Sequence, residues 1–95
     1  MERIRASLAS DLPALRERFA LKRLAVFGSV ARGTAAEDSD VDFLVEFEHP
    51  AGFDDFMDLR FHLEDLLGVR VDLVTAKGIR PGMRDAIERE AISVA

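Results

Sequence analysis

Apolar and polar residues recur along the chain with two spacings, one typical of helices and one typical of strands. Helical spacing covers residues 2–19, where it falls into two pieces. It also covers residues 53–67 and residues 81–91. Strand-like alternation covers 22–27, 40–47 and 69–74. Because helices and strands interleave, the sequence predicts an α/β (α+β) fold, a small mixed β-sheet with helices packed on one face. Residues 92–95 are either a frayed end or a short added strand.

The predicted strand at 40–47 alternates more regularly than the others. Its apolar face carries Val41, Phe43, Val45 and Phe47, and its other face carries Asp40, Asp42, Leu44 and Glu46. We expect the helices to cover the apolar face and the acidic face to stay open. The helical residues expected to pack inward are Phe53, Phe56, Met57, Leu63, Leu66 and Leu67, followed by Met83, Ala86, Ile87 and Ala91.

Two carboxylates lie side by side on the acidic face. Asp40 and Asp42 are two residues apart in one strand, so their side chains project in the same direction, roughly 6 to 7 Å apart. Like charges this close raise each other's pKa and destabilise the fold unless a cation lies between them. Mg²⁺ suits such a pair, since it takes one or two carboxylates and completes its shell with water and phosphate oxygens.

A third carboxylate, Asp72, falls in the strand at 69–74. Taken alone, Asp72 is equally well a site residue or a solvated strand residue. Its phase in the alternation favours the site, because aligned apolar faces would place Asp72 beside Asp40 and Asp42.

The first strand ends at a Gly-Ser turn, which predicts a short helix from Ser29. Gly28 and Ser29 offer free N–H groups, a hydroxyl and the positive end of a helix dipole to an anion. Alone, this pair is an ordinary capped turn more often than a phosphate site. Its position before the two carboxylates favours the phosphate site. Arg32 is either a phosphate contact or a surface salt-bridge partner.

Length and composition narrow the range of functions. With 95 residues, the chain fits a single domain over 1–95. A formal net charge of −5 disfavours a polynucleotide as partner, since binding to a nucleic-acid backbone needs clustered Lys and Arg. The chain has no cysteine, which excludes disulfides and thiolate metal sites. Its N-terminus lacks the continuous apolar region of a signal peptide and no apolar run reaches membrane-spanning length, so we expect a cytoplasmic protein with no membrane partner.

The motifs resemble those of a known enzyme family. Gly28-Ser29, a gap of ten residues and Asp40-Val41-Asp42 are similar to the signature of the nucleotidyltransferase superfamily that includes polymerase beta. Asp72 matches the third carboxylate of that superfamily. The short length, the Ala-Arg-Gly after Gly-Ser and Ser39 before the first Asp resemble more narrowly the minimal nucleotidyltransferases of prokaryotes.

This resemblance implies a two-metal transfer of a nucleoside monophosphate. The implied roles are binding of the triphosphate of ATP by Gly28 and Ser29 and ligation of two Mg²⁺ ions by Asp40, Asp42 and Asp72. Arg32 is added to the candidate nucleotide-binding residues.

Minimal members of the family commonly act as antitoxins of a HEPN-domain ribonuclease toxin, some by transferring AMP to one of its tyrosines. The resemblance therefore implies a protein adenylyltransferase that acts as a type VII-like antitoxin. The chain contains no Tyr, so a tyrosine acceptor must lie on another chain.

Two alternatives stay open at this point. The chain could neutralise its partner by docking alone, without catalysis. It could also transfer a nucleotide to a small molecule, although no second domain is present to shape a pocket for one.

Overall fold

A computed structural model describes residues 2–34, 40–49 and 52–94 of the chain. The elements in chain order are α1 (Glu2–Ala9), α2 (Leu12–Phe19), β1 (Leu21–Phe27), α3 (Gly28–Arg32), β2 (Val41–Phe47), α4 (Phe53–Leu67), β3 (Val71–Thr75), a 3₁₀ turn (Ala76–Gly78), α5 (Pro81–Glu90) and β4 (Ile92–Ser93). Residues 35–39, which include Ser39 of the motif, lie outside the described residues. The predicted mixed sheet with helices is confirmed.

The four described strands form one sheet in the order β3-β2-β1-β4. Strand β1 runs antiparallel to β2 and to β4, whereas β2 and β3 are parallel. Two parallel neighbours need a crossover connection, and α4 provides it. The open question about residues 92–95 is answered in part, because β4 pairs with Ala25 and Val26 of β1.

The main core lies on one face of the sheet, between the strands and the helices α1, α2 and α4. Its helical members are Leu8, Leu15, Phe19, Leu59 and Leu63, and its strand members include Leu24, Val26, Val41, Phe43, Val45, Val71 and Leu73. The apolar face predicted for β2 is therefore the buried face. Burial of these side chains is the main favourable contribution to folding.

The opposite face differs from the expectation that all helices pack on one side. Leu44 and Ala25 are fully buried there, and Ile87 of α5 and Ala91, the residue after α5, pack against them. Helix α5 therefore lies on the same face as the carboxylates. The physical reason is that Leu44 interrupts the polar face with apolar surface that needs a cover. That face stays open at its other end, where Asp40 and Asp72 are exposed.

The packing faces of α4 and α5 were predicted only in part. Phe53, in the first turn of α4, is 77% exposed, whereas the unpredicted Leu59 is fully buried. The buried stripe of α4 thus passes through Leu59 and Leu63, one turn apart. Met83 is exposed because α5 packs through its C-terminal half. Across the described residues, no helix combines the length and apolar character needed to cross a membrane.

Candidate active site

The parallel pairing of β2 and β3 brings two of the predicted carboxylates together. Asp42 and Asp72 are direct register partners, so both side chains project from the same face of neighbouring strands. On its other side, Asp42 is the register partner of Phe27, the last residue of β1. The chain turns immediately afterwards at Gly28, which therefore lies beside Asp42.

Gly28 fills a position that other residues could occupy only with strain. Its φ is +75°, in the left-handed region that favours glycine, and a Cβ placed there would collide with the carboxylate of Asp42. The backbone of the Gly-Ser turn and the carboxylate are thus in close contact. This contact joins the predicted phosphate-binding turn to the predicted metal-binding strand.

The turn continues into α3, which is a single short helical segment. Its end is fixed by Gly33, whose φ is +76°, and by a hydrogen bond of 3.0 Å from Thr34 N to Ser29 O. Ser29 is half-buried directly after Gly28. The structure therefore brings Gly28, Ser29 and Asp42 into one corner of the molecule.

Arg32, at the end of α3, forms an ion pair, which is one of the two roles that the sequence left open for it, but its partner, Glu90, was not predicted. Its Nη1 donates to Glu90 Oε1 at 2.8 Å, and the backbone N–H of Gly28 donates to Glu90 Oε2 at 3.2 Å. Glu90 is the last residue of α5 and lies outside every motif in the sequence. Only the pairing of β4 with β1 could have indicated that Glu90 returns to the Gly-Ser turn.

The carboxylates and Arg32 act on one another electrostatically at Asp42. The pKa of Asp42 is raised above its ordinary value of 3.8, first by burial and then by the charges of Asp72, Asp40 and Glu90, while Arg32 opposes the rise. Asp40 precedes β2 and is exposed, and its charge still reaches Asp42. The cluster therefore carries unrelieved repulsion, which a bound cation would reduce.

Two side chains of α4 hold β3 in place. Glu64 Oε2 accepts from Val71 N at 3.0 Å, and Arg60 Nε donates to Val71 O at 3.0 Å. Both contacts satisfy backbone groups of an edge strand, one residue before Asp72. These two hydrogen bonds, the clamp on Val71, fix the position of Asp72 beside Asp42. The apolar stripe of α4 does not predict this clamp, because both of its side chains are polar.

The donor set fits a hard divalent cation. Carboxylate oxygens are the ligands that Mg²⁺ prefers, and it commonly uses only one or two of them together with substrate phosphates. Within 2–34, 40–49 and 52–94, no three His, Asp or Glu side chains are arranged to hold a metal ion by themselves. Metal binding here would therefore need further oxygens, from water or from the nucleotide.

A separate cavity lies at the other end of β2. Its volume is about 440 Å³, and its lining residues are Lys22, Val45, Glu46, Phe47, Glu48, His49, Phe56, Thr75, Ala76 and Lys77. None of the six predicted site residues lines this cavity. The carboxylate cluster and the cavity are thus distinct features of the described structure.

The comparisons with known proteins agree with the motifs. The family model of the nucleotidyltransferase domain matches residues 12–94. The chain is 44% identical over 94 residues to "Protein adenylyltransferase MntA" of Thermococcus cleftensis, covering 99% of this chain and 95% of that relative.

Solved structures share the fold. One described as "putative minimal nucleotidyltransferase" matches with a TM-score of 0.83 and 48% identity, covering 96% of this chain and 92% of that one. A second, described as a "toxin-antitoxin with AMP-PNP", matches with a TM-score of 0.75 and 20% identity, covering 90% of this chain and 71% of that one. At that identity the second likeness concerns the fold alone. The chain belongs to the nucleotidyltransferase domain family, and its identification as a nucleotidyltransferase is confirmed.

Proposed function

We propose that this chain transfers AMP from ATP to a hydroxyl group, on a tyrosine, of a HEPN-domain toxin and thereby acts as its antitoxin. The observation that carries the proposal is the register pairing of Asp42 with Asp72, beside a Gly-Ser turn in contact with Asp42. The Thermococcus cleftensis relative is named a protein adenylyltransferase, and the AMP-PNP structure is that of a toxin-antitoxin. Both names support a protein acceptor.

Each predicted residue has a role in this reaction. Gly28 N–H, Ser29 and Arg32 bind the triphosphate, and Asp40, Asp42 and Asp72 would hold two Mg²⁺ ions. When bound, the ions supply positive charge that stabilises the attacking and leaving oxygens and lowers the pKa of the acceptor hydroxyl. The acceptor hydroxyl gives up its proton to water and its oxygen bonds to the α-phosphorus. The bond from that phosphorus to the oxygen that bridges to the β-phosphate breaks, and pyrophosphate leaves.

The open site favours a partner protein as the acceptor. Asp40 and Asp72 are exposed, and the described residues place no further element over them. A second protein could supply the missing walls, and the acceptor must come from it because this chain has no Tyr. A net charge of −5 disfavours a nucleic acid in that place. A single domain and a cytoplasmic location stay predictions of the sequence.

The direct test is label transfer. The purified chain is incubated with ATP labelled at the α-phosphate, Mg²⁺ and the protein encoded by the adjacent gene. We expect label on that protein, its loss with Asp42→Asn, and its retention with Asp58→Asn, which changes an exposed aspartate of α4 outside the site. Label on no protein and on no small hydroxyl compound would refute the enzymatic function.

The same materials separate transfer from docking. In cells that express the partner, the double variant Asp40→Asn/Asp42→Asn is expected to lose protection. If this variant still protects the cells, the chain neutralises its partner by binding alone. If label appears on a small molecule and not on the partner, the acceptor class in the proposal is wrong.

A further inference from the structure

Glu90 binds the same two groups to which the proposed function assigns the triphosphate. One carboxylate oxygen accepts from Arg32 Nη1 at 2.8 Å, and the other accepts from Gly28 N at 3.2 Å. A carboxylate and a phosphate offer the same kind of acceptor to a guanidinium and to a backbone N–H. Glu90 therefore fills an anion position beside the Gly-Ser turn.

Glu90 reaches this position because the backbone on both sides of it is held in place by the fold. Ile87 and Ala91, on either side of it in sequence, pack against the sheet. The next residues form β4, which pairs with Ala25 and Val26 of β1, just before Gly28. Glu90 is thus held between a packed helix end and a paired strand, so its carboxylate is directed to the Gly-Ser turn.

Glu90 and a bound triphosphate would draw on the same donors. Gly28 N–H has one hydrogen to donate, and Arg32 Nη1 already holds Glu90. The two anions would compete for Arg32 and Gly28 N–H, and two negative charges beside the same donors would repel each other. The contact is weak enough to be displaced, because the Arg32 side chain is 51% exposed and that of Glu90 is 33% exposed. Its displacement nevertheless reduces the free energy available for nucleotide binding.

We propose that the Glu90 carboxylate occupies the triphosphate position on Gly28 and Arg32, so that Glu90 sets the affinity of the site for nucleotide. This inference rests on the proposed function, since that function assigns the two donors to the triphosphate. Nucleotide binding displaces the carboxylate from both donors and returns it to solvent. Glu90 is accordingly an affinity-determining residue that acts by competition.

Helix α5 itself supplies a matched control. Glu88 forms an ion pair with Arg23 that is also 2.8 Å long, and the exposed fractions of the two glutamate side chains are 34% and 33%. Arg23 lies in β1 opposite Glu46, away from the Gly-Ser turn. Glu88→Gln and Glu90→Gln therefore each remove one charge and one ion pair from the same helix, and only the second change affects the proposed triphosphate position.

The test measures binding of α,β-methylene-ATP with Mg²⁺ by calorimetry, since this analogue cannot be cleaved at the α-phosphorus. We expect Glu90→Gln to lower the dissociation constant about threefold to fivefold, the range typical of one partly exposed ion pair. Glu88→Gln is expected to leave it unchanged. Inorganic tripolyphosphate should show the same difference, because the competition concerns the phosphates. An unchanged or higher dissociation constant for Glu90→Gln overturns the proposal.

A double-mutant cycle locates the effect. In an Arg32→Ala background, the gain from Glu90→Gln should shrink, because one of the two shared donors is gone. An undiminished gain would show that Glu90 acts elsewhere. If the unmodified chain and Glu90→Gln both stay folded in a thermal melt and neither binds the analogue, the proposed function fails and the competition fails with it. If both bind equally, only the competition fails.

Discussion

The two faces of β2 show how one strand meets two different demands. On one face, Val41, Phe43 and Val45 are buried among helices, and every contact lowers the free energy of the fold. On the other, Asp42 is half-buried beside Asp72, and the pKa of Asp42 is raised by burial and by neighbouring negative charge. The stabilisation from the buried face offsets the unfavourable free energy of the charged face. Substitutions of buried apolar residues and of Asp42 should therefore change the free energy of unfolding in opposite directions.

The largest effect is expected on the buried face. Phe43→Ala removes a fully buried ring from the centre of the sheet, and such changes cost about 3–5 kcal/mol of unfolding free energy. Urea denaturation measures this loss. Phe61→Ala is the matched control, since the Phe61 side chain is exposed and its loss should change the unfolding free energy by less than about 0.5 kcal/mol. Equal losses for the two variants would contradict the assignment of the core.

A smaller loss of stability is expected at the Gly-Ser turn, which lies against Asp42 on the acidic face of β2. Gly28→Ala combines a φ of +75° with a collision against Asp42, so it should cost about 1–3 kcal/mol and lower nucleotide binding as well. Gly52→Ala is the control, because its φ is −74° and nothing lies within 4 Å of the added Cβ. Denaturation and calorimetry on both variants provide the measurement. Tolerance of Gly28→Ala would show that the turn can move away from Asp42.

The same comparison shows what the sequence could predict. The buried face of β2 followed from its alternation, because a period of two is a local property of the chain. The meeting of Asp42 and Asp72 followed from the same phase argument applied to two strands. These inferences needed only residues close in sequence and the assumption that apolar faces align.

The rest depends on contacts between distant parts of the chain. Glu90 reaches Gly28 across 62 residues because β4 pairs with β1, and no motif marks that pairing. Helix α5 covers the part of the acidic face around Leu44, because Leu44 is a single apolar residue in a polar pattern. The clamp on Val71 consists of hydrogen bonds with polar side chains of α4, and the spacing of apolar residues gives no information on such contacts. Tertiary pairing, and not local propensity, decided each of these features.

The smallest expected effect, and the one of opposite sign, concerns the charge of Asp42. Its raised pKa means that the folded state holds the proton more tightly than the unfolded state does. Stability is therefore lost as the pH rises from the ordinary value of 3.8 through the raised pKa, and the ionised group destabilises the metal-free chain at pH 7. Asp42→Asn should raise the melting temperature at pH 7 while abolishing transfer.

The pH dependence separates this explanation from a simple gain in packing. Melting curves from pH 8 to pH 4 should show the advantage of Asp42→Asn shrinking as the pH falls, because protonation removes the same charge from the unmodified chain. The exposed Asp58→Asn, away from the cluster, should show no such convergence. A lower melting temperature for Asp42→Asn at pH 7 would mean that the carboxylate makes a stabilising contact stronger than the repulsion. The two faces of β2 would then both favour the fold, and the carboxylate cluster would no longer need a cation to relieve it.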